Sequence, residues 1–213
     1  MAAARDRGAG RRYSGMDAAE RTRARRAAIL GAALELFGTA GFAATSVKQI
    51  CFAAGLTERY FYESFRDRHA ALAGVYGEIV AELRLSTQAA IDAADGDIGT
   101  AAHDGLAAFV GYLTADPRRA RIVLIEVVGV SPEIEELRHG VLRAFADLIA
   151  SVWSKDPGVD SADERSRLTA IALSGAVNNL LVDWMMTGTR QSPEMLVEVC
   201  TTLFLAALDG LKR

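Results

Sequence analysis

The sequence predicts an all-α fold, with an N-terminal unit of three helices and a C-terminal helical part. Alanine is abundant and only four of the 213 residues are proline, a composition that favours helix because alanine loses no side-chain entropy there. Hydrophobic residues make up 51 % of the chain and charged residues 24 %, so a sizeable core is available. Apolar residues also recur at helical spacing, as at Ile29, Ala33, Leu36 and Ala40, which share one helix face.

The N-terminal elements follow from their caps. Residues 1–21 are rich in Arg, Gly and Ala and lack periodicity, so we expect a disordered arm that is either a solvated tail or an insert into a DNA minor groove. The first helix is expected to end at Gly41, a typical C-cap. Ser46 and Gln49 have the spacing of a capping box and predict a short helix over 47–54.

A second short helix is predicted directly after the first. Gly55 breaks the first short helix because glycine tolerates a left-handed backbone, and Thr57 is a suitable N-cap for a helix over 58–64. Longer helices are then predicted over 68–93, 98–115, 118–130, 133–155, 162–187 and 193–211. Residues 122–128 are rich in β-branched side chains, so a strand is the rival prediction for that segment alone.

Charge is divided unevenly along the chain. Residues 1–72 contain 12 Lys and Arg against 7 Asp and Glu, a net charge of +5, whereas residues 73–213 contain 12 against 20, a net charge of −8. The two values sum to the −3 of the whole chain. Such asymmetry indicates one part that faces DNA and one part that faces elsewhere, and it lets an acidic protein bind nucleic acid.

Several classes of protein are not predicted. No apolar run approaches the roughly 20 residues that span a bilayer, and no apolar stretch follows the N-terminal arginines, so a cytoplasmic protein is expected. Cys51 and Cys200 are expected to be buried thiols. The three histidines lack metal-ligand spacing, and no nucleophile, acid–base set or phosphate loop is found. No enzyme, metal site or cofactor is therefore expected.

The two short helices have the features of a helix-turn-helix, in which two helices cross over a tight turn. Val47, Ile50 and Ala54 supply one apolar side of the first helix, and Leu56 is expected to fill the core beneath the turn. Phe61, four residues before Phe65, is expected to face inward. The outer face of the second helix is then left to Glu58, Arg59, Tyr60 and Tyr62.

Eighteen positions in a stretch of about 40 residues resemble the N-terminal domain of TetR-type (tetracycline-repressor-like) regulators. These positions are Ala33, Leu36, Phe37, Gly41, Phe42, Thr45, Ser46, Val47, Ile50, Ala54, Gly55, Leu56, Thr57, Phe61, Tyr62, Phe65, Arg68 and Leu72. The remaining residues resemble the family only in helix number and length. Phe52 departs from the pattern because polar residues are usual there, and we expect it to pack under the arginine arm.

The resemblance implies nine DNA-contacting residues. Their expected roles are phosphate anchoring at helix N-termini or base reading in the major groove. Phosphate is assigned to Thr45, Ser46, Thr57, Tyr62 and Arg68, base edges to Glu58, Arg59 and Tyr60, and Lys48 is included as a basic contact. Arg59 is suited to guanine and Glu58 to cytosine N4. Alternatively, Lys48 and Arg59 are solvated charges, both tyrosines are partly buried, or the whole motif is only structural.

The last two helices are more apolar than one core face needs, over residues 168–186 and 195–208. The resemblance implies that these helices form a four-helix interface in a homodimer. A two-fold dimer would place its recognition helices about 34–36 Å apart, on successive major grooves of a palindromic operator. The alternative is a helix pair buried within one chain.

The middle helices are expected to enclose a cavity for an unknown, mostly apolar small-molecule effector. The candidate lining residues are Phe109, Tyr112, Leu124, Val127, Phe145, Trp153, Asn178 and Trp184. Glu126, Asp183 and His103 are the charged candidates for the cavity wall, although solvated or paired roles are the plainer interpretation. The aromatic residues are equally consistent with an ordinary core. Effector binding would shift the dimer to a spacing that no longer fits DNA, with the long helix 68–93 as the lever.

The domain prediction is an arm over 1–21, a helix-turn-helix DNA-binding domain over 22–83, and an effector-binding and dimerisation domain over 84–213. The predicted function is a sequence-specific transcriptional regulator, a repressor that an apolar effector releases from its operator. Two alternatives remain open: a helical small-molecule-binding protein, and an architectural DNA-binding protein without effector. Partners are duplex DNA, a second copy of the chain and the effector, with no membrane.

Overall fold

The computed structural model describes residues 17–160, 162–188 and 190–212, and the described residues contain helices and no strands, which confirms the all-α prediction. The helices are α1 Ala18–Thr39, α2 Val47–Ala54, α3 Glu58–Ser64, α4 Arg68–Asp92, α5 Ile98–Thr114, α6 Pro117–Arg121, α7 Pro132–Trp153, α8 Glu164–Met186 and α9 Pro193–Leu211. A π-helical turn, Ile122–Glu126, continues directly from α6.

Helix α1 begins earlier than the sequence predicted. Residues 18–21, which were expected to end a disordered arm, are helical, and residues 1–16 of that arm lie outside the described residues. Asp17 is the N-cap: its carboxylate accepts the N–H of Glu20, and the Glu20 carboxylate accepts the N–H of Asp17, both at 2.7 Å. This reciprocal capping box satisfies two N–H groups that the helix itself leaves unpaired, and it therefore starts the helix at Ala18.

The turns around α2 form as predicted. Gly41 has φ +93° and its N–H reaches the carbonyl of Leu36, so it ends α1 in the left-handed region. Ser46 and Gln49 make the predicted capping box at the start of α2. Gly55 has φ +66° between α2 and α3, a conformation that side chains with a Cβ rarely adopt.

The helix predicted over 118–130 is shorter and changes its winding. Helix α6 passes into the π-helical turn at Ile122, and the chain leaves helical geometry near Gly129, whose φ is +71°. The rival strand does not form at 122–128. This segment must send Ile122 and Val127 to one hydrophobic cluster and Leu124 to another. The i→i+5 pairing of a π turn changes the direction of the side chains within one turn and meets that need.

Two hydrophobic clusters divide the core along α4. Val80 belongs to the cluster that contains α1, α2 and α3, whereas Leu83, one turn later, belongs to the cluster of the C-terminal helices.

Cys51 lies in the first cluster and Cys200 in the second, and both are buried free thiols, as predicted. Burial raises the pKa of the Cys200 thiol to about 11, so this sulfur stays protonated and unreactive.

Helix α8 packs against α7 and α9 in the C-terminal part. By length and composition it is the one described helix that is apolar enough to cross a membrane. Only a third of its apolar stretch is buried within the chain. Much of its apolar surface is therefore left uncovered in a single copy of the protein.

Candidate DNA-binding surface and effector cavity

The helix-turn-helix is held by a small set of fully buried side chains. Ile50 and Phe61 are 0 % exposed and anchor α2 and α3, and Cys51 is 3 % exposed beside them. The ring of Phe61 contacts that of Phe65 at a centroid distance of 5.7 Å. Because these anchors lie on the inner faces, the outer faces of α2 and α3 are left to solvent.

Most predicted DNA contacts lie on that outer surface. Ser46, Lys48, Thr57, Glu58, Arg59 and Tyr62 are all exposed. Thr57 occupies the N-cap position of α3 but makes no side-chain capping hydrogen bond, contrary to the role predicted for it. Its hydroxyl is therefore available to another acceptor or donor near the start of α3.

Tyr60 and Arg59 belong to a charged network that ties α3 to α1. The guanidinium of Arg25 lies over the Tyr60 ring, 4.5 Å from its centroid, and is 3.7 Å from a carboxylate oxygen of Glu63. Glu63 also accepts a hydrogen bond from Arg59 at 3.2 Å. Tyr60 is consequently half-buried. The side chain of Arg59 is 83 % exposed. An ion pair this exposed contributes little stability, so Arg59 can leave Glu63 and bind a DNA base at little cost.

Two predicted phosphate contacts are occupied within the chain. Thr45 is 1 % exposed, and its hydroxyl donates to the carbonyl of Gly41 at 2.8 Å. Arg68 donates to the carbonyls of Phe42 and Thr45 at 3.2 and 2.9 Å and covers the Phe42 ring. Both side chains hold the turn between α1 and α2, because its carbonyls lack helical partners. Residue type and spacing alone did not distinguish this role from phosphate binding.

Phe52 is 89 % exposed on the outer side of α2. The expectation that it packs under the arginine arm concerns residues 1–16, which lie outside the described residues. Nothing in the described part of the chain covers its ring.

An elongated apolar cavity lies between α4, α5, the π-helical turn, α7, α8 and α9. The space that protein atoms leave unfilled is about 950 Å³, including its opening to solvent. Its wall on α4 is formed by Tyr76, Val80, Leu83, Thr87 and Ile91. These residues span 15 helical positions, which corresponds to a length of about 22 Å at 1.5 Å per residue. The cavity therefore runs along α4 from the first hydrophobic cluster into the second.

Four of the eight predicted lining residues face this cavity. They are Phe109, Leu124, Phe145 and Asn178, with the Phe109 and Phe145 rings edge to face at 5.0 Å. The sequence prediction missed the wall on α4, although its spacing of three and four residues is the helical pattern that would have revealed it.

The other four predicted residues lie elsewhere, which corrects their assignment to the lining. The hydroxyl of Tyr112 donates to Glu82 at 2.7 Å, and Val127 is buried in the first cluster. Trp153 is buried against Phe204, and the Trp184 indole donates to the carbonyl of Gln191 at 3.0 Å. Glu126, considered as an inward charge, instead contacts the turn after α1. Tyr112, Trp153 and Trp184 therefore pack in the core or hold neighbouring segments, which is the ordinary role of large aromatic residues in helical proteins.

The polar groups in the cavity wall are few. The Thr87 hydroxyl donates a hydrogen bond to the carbonyl of Leu83, and the Ser174 hydroxyl donates one to the carbonyl of Leu142. Arg138 is paired with Glu135 at 3.0 Å. The Asn178 amide has no hydrogen bond to the described part of the chain. The cavity thus offers a long apolar surface with few polar groups, among them the Asn178 amide, which suits an apolar ligand that carries a polar group.

Exposed apolar side chains concentrate on the last two helices. The large hydrophobic residues exposed by 40 % or more there are Leu168, Met186, Met195, Val199 and Leu203. Gly175 and Ala176, which are small and exposed, lie near the middle of α8. A surface of this kind is typical of an interface between protein chains, because small residues permit close helix approach.

Comparisons with known proteins agree with this architecture. Residues 29–73 match the family model of bacterial regulatory proteins of the tetR family. The HTH-type transcriptional regulator EthR of Mycolicibacterium smegmatis is 24 % identical over 191 residues, which cover 87 % of each chain.

Solved structures of regulators share the whole fold. A tetR-family regulatory protein from Rhodococcus RHA1 superposes with a TM-score of 0.62 at 21 % identity, covering 86 % of this chain and 96 % of that one. The regulator FadR from Bacillus subtilis, solved in complex with stearoyl-CoA, gives 0.67 at 18 % identity, covering 85 % and 98 %. The helix-turn-helix segment, residues 29–73, therefore matches the tetR family of bacterial regulatory proteins, and most of the chain shares the fold of solved tetR-family regulators.

Proposed function

We propose that this regulator is a cytoplasmic repressor that binds a palindromic operator as a dimer and leaves it when an elongated, mostly apolar effector fills the central cavity. The observation that carries the proposal is the position of the cavity. It runs along α4, the helix that leaves the helix-turn-helix, so one helix contacts both the bound effector and the DNA-binding part. This continuity also favours a regulator over an architectural DNA-binding protein without effector.

The DNA contacts that we propose lie on the outer faces of α2 and α3 and at the N-caps of these helices. Arg59 and Glu58 read base edges, with Tyr60 beside them. The remaining proposed contacts, all to phosphate, are Ser46, Lys48, Thr57 and Tyr62. Thr45 and Arg68 act on DNA through the turn that they hold, since their own polar groups are occupied.

The dimer interface that we propose is the apolar face of α8 and α9. Its exposed Leu168, Met186, Met195, Val199 and Leu203 would be unfavourable in water in a single chain. Pairing this face with its copy would form a four-helix interface and hold two recognition helices about 34–36 Å apart.

We also propose that the DNA-binding domain, residues 22–83, ends within α4, where Val80 and Leu83 join different clusters.

The effector class follows from the shape and chemistry of the cavity. A length of about 22 Å suits an extended chain, and the wall is apolar except at a few positions such as Asn178. We propose that the effector is a long acyl or alkyl chain with one hydrogen-bonding group near Asn178. The B. subtilis FadR structure holds stearoyl-CoA, and the shared fold makes a ligand of that length a reasonable first probe.

The test begins with selection of bound sequences from random duplex DNA at two salt concentrations. A palindromic consensus is expected, with affinity that falls as salt rises because phosphate contacts release counterions. Salt-sensitive binding without a consensus would overturn sequence-specific recognition.

The effector is then tested on the selected duplex by fluorescence anisotropy with saturated acyl-CoA molecules of eight to eighteen carbons. Release is expected to increase with chain length. A matched series with the Leu106→Trp variant, whose indole would block the cavity, should show no release at any length. Equal operator affinity with every chain length in the unmodified protein would contradict the proposed effector class.

A further inference from the structure

The π-helical turn Ile122–Glu126 lies between the cavity and the DNA-binding part. Val123 and Leu124 line the cavity. Ile122 and Val127, on either side of them, are 0 % exposed in the cluster that contains the helix-turn-helix. A ligand that pushes on Val123 or Leu124 therefore pushes on a segment whose neighbouring side chains are buried in the other cluster.

Glu126, the last residue of this turn, binds the chain at the end of α1. One carboxylate oxygen accepts the backbone N–H of Phe42 at 2.7 Å, and the other accepts from Arg121 at 2.8 Å. Arg121 donates in turn to the carbonyl of Thr39 at 2.6 Å. The Glu126 side chain is only 12 % exposed, so these charge-assisted bonds are formed where water competes little.

The end of α1 packs tightly against α6 and the π-helical turn, so there is little room for α1 to shift gradually relative to them. A Cβ on Gly41 would lie 3.0 Å from a guanidinium nitrogen of Arg121 and 3.1 Å from a carboxylate oxygen of Glu126. At Gly38 an added Cβ would clash with the Cβ of Arg118. The end of α1 is thus docked directly on α6 and the π-helical turn, and packed contacts of this kind shift between discrete arrangements rather than deform smoothly.

The segment that Glu126 holds leads directly into the helix-turn-helix. Phe42 is followed by the turn whose carbonyls Arg68 caps, and that turn ends at Ser46, the N-cap of α2. Arg68 is also the first residue of α4. The position of the Phe42 amide consequently affects the start of α2 and the start of α4 together.

We propose that Glu126 is the positioning residue through which the cavity controls the helix-turn-helix. With the cavity empty, its carboxylate holds the Phe42 amide and keeps α2 in the DNA-binding position. Filling the cavity displaces Val123 and Leu124, and the turn withdraws Glu126 from Phe42. The proposal rests on the proposed function for its operator readout, but the hydrogen bond itself is measured without DNA.

The first experiment measures amide hydrogen exchange at Phe42 in the full chain. Glu126→Ala removes the acceptor, so exchange at Phe42 is expected to rise at least about tenfold, while amides buried in the middle of α7 keep their protection. Glu126→Gln retains an acceptor and is expected to lie between the two. Glu136→Ala, an exposed glutamate on α7, is the matched control and should match the unmodified protein. Unchanged exchange at Phe42 in Glu126→Ala would overturn the proposal.

The second experiment uses Ala102→Phe, which adds a ring inside the cavity and stands in for a bound ligand. Alone, it is expected to raise exchange at Phe42 and to weaken binding of the selected operator duplex by about tenfold, within the usual range of allosteric coupling. Combined with Glu126→Ala it should add little, because the connection is already cut. Full additivity of the two effects, on exchange or on operator affinity, would contradict the proposal.

The two readouts separate this proposal from the proposed function. If no duplex is selected, the proposed function fails, and the coupling is still judged by whether Ala102→Phe raises Phe42 exchange in the unmodified background alone. If a duplex is selected but neither Ala102→Phe nor Glu126→Ala changes its affinity, DNA recognition stands and the role of Glu126 is overturned. Thermal unfolding identifies any variant that fails to fold. If Glu126→Ala fails, Glu126→Gln is compared instead, with a smaller rise in Phe42 exchange expected because it keeps an acceptor, and no rise would overturn the proposal.

Discussion

The cluster around the helix-turn-helix and the cluster of the C-terminal helices are packed in different ways. In the first, Ile29, Phe37, Ile50 and Phe61 are all 0 % exposed, and positive-φ glycines set the turns between helices. In the second, six elements surround an apolar cavity that is open to solvent. The helix-turn-helix part therefore has its core filled by fully buried side chains, while the C-terminal part forgoes some side-chain contacts and keeps an open apolar space.

The largest expected effect contrasts two phenylalanines, one from each cluster. Phe61→Ala removes a fully buried ring from the filled core and is expected to lower the free energy of unfolding by about 3–5 kcal/mol. Phe145→Ala removes a ring that borders the cavity, where part of its surface already lacks partners, and is expected to cost less than about 2 kcal/mol. Urea unfolding of both variants measures the contrast. Equal losses would mean that the two clusters are packed alike.

The next effect concerns the turns of the DNA-binding part. Gly41→Ala forces an L side chain to φ +93° and towards the Arg121–Glu126 pair, so a loss of about 1–3 kcal/mol in the free energy of unfolding is expected. Gly77→Ala is the control, because its position on α4 is helical, exposed and open to a Cβ, and it should stabilise by up to about 1 kcal/mol. Thermal unfolding in parallel decides; a Gly41→Ala protein as stable as the parent would show that this turn is not constrained.

A third effect separates base reading from phosphate binding on the exposed surface. Arg59→Ala is expected to cost about 1–3 kcal/mol of operator binding and to relax specificity at one base pair. Lys48→Ala should instead weaken binding to all sequences alike and reduce the salt slope by about 1. Both side chains are exposed, so neither change should alter stability. Competition binding with single-base operator variants gives the answer, and identical profiles for the two proteins would reject the assigned roles.

The smallest effect is a pH dependence at the start of α4. Asp67 caps this helix by accepting the N–H of Ala70, and that bond holds the pKa of the carboxyl below its ordinary 3.8. A group whose pKa is lower in the folded state stabilises the fold above its unfolded pKa, and this contribution is lost as pH falls through the folded pKa. Asp67→Asn keeps an acceptor without the titration, so its stability should fall less between pH 5 and about 2. Acid titrations of both proteins, followed by circular dichroism, measure this difference. Equal losses of helical signal in the two proteins would show that the titration of Asp67 does not contribute to stability.

The helix-turn-helix and its resemblance to TetR-type regulators were readable from sequence because they depend on local chemistry. Gly41 and Gly55 supply left-handed backbone, Ser46 and Gln49 close a capping box, and these signals lie within a few residues of the elements that they define. The exposed contacts on α2 and α3 follow from helical periodicity once the buried anchors are known. A capping box at Asp17 was equally local, and the start of α1 was misplaced only because Asp was not considered as the cap.

The cavity was only half predicted because its lining depends on contacts between distant segments. Trp153 and Trp184 are of a residue type that is common in ligand pockets. In the structure Trp153 is part of the buried core, and the Trp184 indole binds the carbonyl of Gln191. Glu126 was considered as a charge inside the cavity, and the π-helical turn directs it to Phe42 instead, 84 residues away in sequence. Periodicity assigns a face to each helix, but it does not say which neighbour that face meets.

The helical class, the turns, the caps and the helix-turn-helix motif follow from the amino-acid sequence alone, since each rests on backbone preferences and on hydrogen bonds between near neighbours. The tertiary structure decided which polar side chains were consumed inside the chain, as at Thr45 and Arg68, and which apolar faces were left to surround a cavity. The physical reason is that hydrophobic burial has no direction of its own. An apolar residue is driven out of water by its surface area, but its partner is set only when all the helices pack together.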